Sequence, residues 1–502
     1  MKKVWKNVFA SALPQIMNII SNLILPSLII AKFGSEINGL VTSTKTIISY
    51  ISIVGAGIAT ATTQALYDPV ARKDILRIKG MLHAASDMFN RFGIVYCIIA
   101  GIVAFIFPFS LNTTIEYFTI VILMIVMSVS GASEFFAIGR CRSLLYANQK
   151  TYVCTIIQAI SIAGSLLLAL VMLKLNANIV LVQFSISFVY VIRAFFLTGY
   201  VKKNYPELSE YKKVPPIKAA VEKRKDAMIH QLSGLAVTGS QTMILTVVVG
   251  LQAASIYSVY NIVLSGLQSI CANLSTAVTP FIGRELALKN KSRMLMMYDY
   301  IEFAFFNLVS FIYSVAMLMI VPFVSIYTKH ADISYIYSSF ATIFVYASAF
   351  YILKMPSNSL INISGQFKET RWRAIFEGIL TVGGGILLTM LVGLNGVVIG
   401  TAIALSWRCI DTIIYTNRNV LHCGNFKSIF RLIRVVILLS VMAIVQIRFS
   451  INVSNYFSWA KWACFTSVIV LGILLVNAII FDMSTFKGVV RLIANKKNKN
   501  YN

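Results

Sequence analysis

VFASALPQIMNIISNLILPSLIIA, residues 8–31, decides the fold class. No side chain in this stretch is charged, and a helix rising 1.5 Å per residue crosses a hydrocarbon layer of about 30 Å in about 20 residues. Lys2, Lys3 and Lys6 stand before it. The run is longer than a signal-peptide core and ends without a small-residue cleavage site, so it reads as an uncleaved first span.

Comparable stretches recur down the chain, at 46–66, 90–109, 117–138, 152–173, 179–200, 231–250, 256–282, 301–323, 335–353, 374–393, 396–416, 435–449 and 460–481. The whole sequence follows suit. Of 502 residues, 58% are hydrophobic and only 12% charged, with a mean hydropathy of +0.78, too apolar for a soluble exterior. The expectation is an all-α polytopic membrane protein of about 14 transmembrane helices.

The net charge of +26 would suggest nucleic acid in a soluble chain. Here its distribution has a simpler origin. With the N-terminus placed in the cytoplasm, 36 of the 44 Lys and Arg fall on the inside, and Lys32, Lys45, Lys174, Lys329, Arg448 and Lys461 fall in external loops. Both termini are therefore expected in the cytoplasm, and no nucleic-acid partner is expected. External loops of at most about 14 residues leave no room for an extracellular domain. The longest connection, 201–230, is basic and holds Pro206, Pro215 and Pro216, which suggests a hinge.

Shifting the chain by 216 residues lays Gly34 on Gly250, Ser49 on Ser265, Ala61 on Ala277 and Gln15 on Gln231. A shift of 214 superposes the segment 106–109 on 320–323, and one of 219 lays Thr151 on Thr370, Gly164 on Gly383 and Asn176 on Asn395. Spans 1–6 thus repeat as spans 7–12. Six crossings return the chain to its starting side, so the halves share one orientation, which is transporter geometry with a site at their interface. The expected organisation is a six-helix bundle at 1–200, a linker at 201–230, a second bundle at 231–430, two further helices at 431–481 and a basic tail at 482–502.

Within the second span, Lys45, Ser49, Ser52, Ala56, Thr60 and Thr63 fall within an arc of about 80° at 100° per residue. The eighth span repeats this with Asn261, Ser265, Gln268, Ala272, Thr276 and Thr279, and the first adds Ser11, Gln15, Asn18 and Asn22. Small polar residues also permit close helix packing. That alternative explains Lys45, Asn261 and Gln268 poorly, whereas a water-filled cavity would solvate them. Ionisable groups inside spans are functional suspects. Arg193 and Arg408 lie within snorkelling reach of the cytoplasmic ends of their spans. Asp411 is one turn from Arg408 and able to pair with it. Glu134 is placed to meet Arg140, and Glu377 to meet Arg373; these acids read as structural ahead of proton-carrying.

Other chemistry is not indicated. No phosphate-binding Gly-x-x-x-x-Gly-Lys-Ser/Thr run occurs, so transport energy comes from a gradient or the membrane potential. Four scattered histidines and seven cysteines without a Cys-x-x-Cys pair suggest neither a metal site nor a disulfide framework. No catalytic residue, metal or cofactor is expected.

FGSEINGL at 33–40 and GQFKET at 365–370 resemble the polysaccharide flippases of the multidrug/oligosaccharidyl-lipid/polysaccharide (MOP) exporter superfamily. These are the Wzx-type translocases of O-antigen and capsule repeat units. The resemblance spans nearly the whole chain through loose motifs. It implies two six-helix bundles around a central cavity, with two C-terminal helices forming a groove for a lipid tail. It further implies a non-enzymatic protein of the bacterial inner membrane that moves an undecaprenyl-diphosphate-linked oligosaccharide to the outer leaflet. Polysaccharide polymerase and glycosyltransferases would be its partners. On this reading Lys45, Ser49, Ser52, Gln15, Asn18, Asn22, Asn261 and Gln268 form the cavity wall, and Arg193 and Arg408 supply charge for the diphosphate. Asp411 and Glu134 serve in ion pairs or coupling. One departure is that spans 1 and 7 carry no basic residue well inside, where lipid-diphosphate flippases often place arginine. Two rivals remain: a drug/cation antiporter of the same superfamily, which needs carboxylates in spans 1, 2, 7 and 8, and a polysaccharide polymerase, which needs larger external loops.

Overall fold

The computed structural model describes residues 2–217, 224–287, 290–449 and 451–499, and within them every regular element is helical. All fourteen expected segments fall on helices. Among the described residues, eleven stretches are long and apolar enough to cross a membrane; the first, Ala12–Ile53, joins two expected spans. Their outer faces are apolar: Ile94, Ile98, Ile102 and Phe105 form one exposed stripe, and Val468, Leu471, Leu475 and Ile479 another. Such stripes suit acyl chains, not water. The chain is a multi-pass membrane protein.

Two compact units divide the chain, Met1–Ser255 and Ile256–Asn502. In the first, α1 (Lys2–Ala71) is a single run broken at Gly34, whose φ of 87° and ψ of 170° lie in a region essentially reserved for glycine. Helices α2 (Ile75–Ile106), α3 (Tyr117–Ser133), α4 (Gly139–Ala147), α5 (Thr151–Lys174) and α6 (Ile179–Asn204) follow, with a π-helical turn at Glu134–Ile138 joining α3 to α4. Leu40, Leu123, Ala169 and Val182 are fully buried in the core they share.

Helix α7 (Arg224–Val248) packs on α1, and the start of α8 (Leu251–Ala287) closes against it. Asn38 Nδ2 donates to Ser255 Oγ at 2.7 Å, and the Ser43 and Thr246 hydroxyls meet at 2.5 Å. A Cβ at Gly39 would stand 1.9 Å from the Leu251 carbonyl oxygen, so only glycine permits this approach. In hydrocarbon such close contacts and hydroxyl bonds, not hydrophobicity, hold helices together.

The second unit holds α9 (Lys291–Tyr327), α10 (Ser338–Leu353), α11 (Met355–Ile363), α12 (Phe367–Val392), α13 (Leu394–Tyr415), α14 (Phe426–Arg448), α15 (Tyr456–Phe481) and α16 (Met483–Lys499). Helices α12 and α13 touch backbone to backbone: a Cβ at Gly400 would lie 2.7 Å from the Gly384 carbonyl carbon. Helices α14 and α15, the two beyond the repeat, pack on α9, where Trp459 Nε1 donates to the Met319 carbonyl at 3.0 Å.

Backbone conformation carries the repeat more plainly than side chains do. Gly34 and Gly250, with φ of 87° and 125°, are 216 residues apart; Gln149 (57°) and Gly365 (75°) are separated by the same 216. Asn176 (59°) and Gly393 (65°) differ by 217. Asp74 and Asn290, again 216 apart, both cap a helix by accepting from the backbone N–H three residues on. Near residue 176 the structural shift is therefore 217, not the 219 suggested by residue identities.

Candidate functional site

In the first unit the candidate groups lie on α1. Its second limb restarts at Ser35, so Lys45 sits about 15 Å along the helix axis at 1.5 Å per residue, not in an external loop. The polar run that reads as a loop is helical because Ser35, Asn38, Ser43 and Thr44 are buried against neighbouring helices. Lys45 itself is exposed, as is Ser49, whose hydroxyl donates to the Lys45 carbonyl at 2.9 Å. Among the described residues no carboxylate pairs with the Lys45 ammonium. On the preceding limb Gln15, Asn18 and Asn22 are also exposed. Ser52 differs: it is half-buried toward Gly131 and Tyr96. A lysine at mid-helix facing hydrocarbon costs about 2.5–3.5 kcal/mol on the insertion scale, so the exposed face around Lys45 is best satisfied by water.

Arg193 on α6 is 8% exposed, among Tyr146, Cys154 and Tyr190. Neither α5 nor α6 contains an acidic residue, and among the described residues no carboxylate pairs with it. Glu134 is engaged elsewhere, its Oε1 2.6 Å from Arg142 Nη2. The expected partner, Arg140, instead donates from Nη1 to the Tyr211 hydroxyl at 2.6 Å. Arg140, six residues on, lies about 120° round a regular helix from Glu134, and Arg142, eight on, about 80°, so nearness in sequence misassigns the pair.

In the second unit Asn261 and Gln268 on α8 are half-buried, and Gln268 Nε2 donates to Ser348 Oγ at 2.9 Å. Ser348 in turn meets the Tyr313 hydroxyl at 2.9 Å. The side chains of Thr276 and Thr279 lie outside the described residues. Arg408 on α13 forms the expected pair with Asp411, Nη1 to Oδ2 3.0 Å. It also lies 3.2 Å from Glu377 Oε2, whose other oxygen accepts from Lys354. Arg373, expected beside Glu377, pairs with Asp411 at 3.2 Å. The side chains of Arg408 and Glu377 are 7% and 8% exposed and that of Arg373 36%, so this is a chain of three cations and two anions with a buried centre and a half-exposed end. Glu377 and Arg408 belong to different helices, which is why local spacing does not find them.

A second charged cluster escaped the sequence reading. Arg431, 3% exposed in its side chain, meets Asp299 at 2.8 Å, Glu302 at 3.0 Å and Asp482 at 3.0 Å. Arg434 joins Asp482 at 2.7 Å, and Lys427 joins Asp299 at 2.7 Å. Burial pushes the Asp482 carboxyl up, but the hydrogen bonds and charges of Arg431 and Arg434 hold it below the ordinary carboxylate range. A signal was present: Lys427, Arg431 and Arg434 recur at i, i+4 and i+7, one helix face, opposite Asp299 and Glu302 at i and i+3.

No family model and no curated protein matches this chain. Solved structures do. The lipid II flippase MurJ, in an inward closed conformation, superposes with a TM-score of 0.69 at 12% identity, covering 95% of this chain and 100% of that one. A multidrug resistance MATE family transporter of the MOP superfamily, inward-facing, gives 0.61 at 15%, covering 86% and 99%. A MOP superfamily transporter from Pyrococcus furiosus gives 0.57 at 13%, covering 87% and 96%. The fold is that of the MOP transporters. At these identities the likeness fixes architecture and leaves the substrate to the residues.

Proposed function

We propose that the chain is a flippase for an anionic, lipid-linked oligosaccharide, an undecaprenyl-diphosphate-linked repeat unit carried from the cytoplasmic to the outer leaflet of a bacterial inner membrane. Both termini are placed in the cytoplasm, by the distribution of basic residues. One observation carries the reading. The first unit holds two cations within spanning helices, Lys45 and Arg193, for which no described carboxylate provides neutralisation, whereas Glu134, Glu302, Glu377 and Asp411 each lie against an arginine or lysine. Glu36, near the head of the second limb of α1, is held by the Thr113 and Thr114 hydroxyls; the unmatched charge deeper in these helices is positive, and a diphosphate answers it. Polar groups at Gln15, Asn18, Asn22 and Ser49 suit the hydroxyls of sugars, and arginine holds phosphate oxygens in bidentate fashion. The cluster around Arg408 contributes the same sign, with three cations against two anions. Working partners would be the transferases that build the repeat unit and the polymerase that consumes it.

The second reading, a drug/cation antiporter, is favoured by the MATE fold alone. It requires a carboxylate open to an external cation. A cationic drug at Glu377 or Asp411 would have to displace cations tethered to the same chain.

The test is transport. Lys45→Ala and Arg193→Ala should lower export of polysaccharide at least tenfold and leave lipid-linked oligosaccharide in the inner leaflet at normal protein level. Lys45→Arg should retain most activity. Export at the parental rate by both alanine variants and by their combination overturns the assignment, and saturable export of a cationic dye by the reconstituted protein would favour the antiporter.

A further inference from the structure

The segment following α6 does not behave as a free hinge. Residues 205–217 lie along α2 as a strap. Ile217 N donates to the Gly80 carbonyl at 3.0 Å, and His83 Nδ1 meets the Val214 carbonyl oxygen at 2.7 Å. A Cβ at Gly80 would stand 2.8 Å from Ile217 and 2.9 Å from the Pro215 oxygen, so glycine is what lets the strap down onto the helix. Lys150 lies over the Tyr205 ring at 4.8 Å. Beneath the strap, walled by α2, α4 and α6, is a partly open cavity of about 70 Å³.

Its lining has two characters. Leu82, Leu144, Val201 and Leu208 make it largely apolar, while Arg140 and Lys202 bring two cations and no carboxylate lines it. Arg140 is held in place by Ser86 at 3.3 Å and by the Tyr211 hydroxyl at 2.6 Å. Both of these bonds leave from Nη1, so the guanidinium has a further edge for an oxyanion. Apolar walls with two cations on the rim, at the end of the helices where the basic loops collect, match a phosphate-bearing amphiphile. We propose that this cavity binds an anionic phospholipid of the adjoining leaflet, its phosphate on Arg140 and Lys202 and the upper part of an acyl chain against the leucines. The lipid would act as a wedge that fastens the strap, which follows α6 within the first unit, to α2. Such a lipid would bind whatever the protein transports.

The experiment uses the full chain in detergent, titrated with phosphatidylglycerol, phosphatidylcholine or inorganic phosphate. Native mass spectrometry should show a retained phosphatidylglycerol adduct, weakened about tenfold or more in Arg140→Gln/Lys202→Gln, as loss of two charge-assisted contacts implies. Trypsin cleavage after Lys212 and Lys213 should slow several-fold with phosphatidylglycerol in the parent and not in the variant. Thr198→Trp, which fills the cavity and keeps both cations, should also lose the adduct, so a folding defect of the charge variant alone does not decide the matter. Equal protection by phosphatidylcholine, equal protection by free phosphate, or an adduct indifferent to all three substitutions overturns the proposal.

Discussion

Gly34 and Gly250 stand 216 residues apart and each turns the chain between two long helices at positive φ, 87° and 125°. The same separation recurs between the helix caps Asp74 and Asn290 and between the turn residues Gln149 and Gly365. A duplicated chain keeps its turns longer than its side chains, because a helix face tolerates exchange of one apolar residue for another whereas a left-handed backbone position admits few residue types.

Gly34→Ala should therefore cost about 1–3 kcal/mol, the strain of a non-glycine residue in that region. Gly250→Ala should behave alike, and for backbone reasons only, since a Cβ there meets nothing within 4 Å. The measurement is the thermal unfolding midpoint of each purified variant. An unchanged midpoint for both would mean the turns relax without strain.

The exposed polar face of α1 should be wet. With the exposed Cys97 and Cys464 replaced by serine, Ser49→Cys and Asn22→Cys should react with a charged, membrane-impermeant thiol reagent. Ile98→Cys, also exposed but on an apolar stripe, should resist it. Labelling of Ile98→Cys at the rate of the other two would remove the distinction between water and lipid on which the substrate reading stands.

Glu377 and Arg408 should prove strongly coupled. Removing one member of a buried pair leaves the other uncompensated, at about 3–5 kcal/mol. Glu377→Gln and Arg408→Gln should each destabilise the protein to that extent, and the double variant should recover about 1–3 kcal/mol of the sum. Additive effects in a double-mutant cycle would show that Lys354 and Asp411 satisfy the two groups separately. A double variant that folds at normal level yet loses export would assign the Glu377–Arg408 pair to transport and not only to packing.

What was legible in the sequence follows from range. Long uncharged stretches such as 8–31 and the stripe from Lys45 to Thr63 are properties of single helices, and one chain suffices to read them. The pair of Arg408 with Asp411 was legible for the same reason, being three residues long. Glu134 with Arg142 is not, because nearness in sequence favours Arg140 although Arg142 lies closer to the same helix face, and Glu377 with Lys354 is not, because two helices must be packed first. Lys45 reads both as the head of the second span's stripe and as the edge of an external loop, because the polar residues before it are buried by α7 and α8, which local polarity does not reveal.

Arg431 gives the last expectation. It binds carboxylates from α9 and from the junction of α15 and α16, so one guanidinium on α14 ties together three parts of the second unit. Arg431→Leu strands Glu302, whose side chain is 3% exposed, and should cost about 3–5 kcal/mol. The loss should be local: a protease site inserted in the 449–455 loop should be cut faster, while the labelling pattern of α1 stays as in the parent. Pairing Arg431→Leu with Glu302→Leu should restore much of the stability, since an apolar replacement of a whole buried pair is often neutral. If the double variant is no better than the single one, the anchor rests on Asp299 and Asp482, and Arg434→Leu should then reproduce the damage.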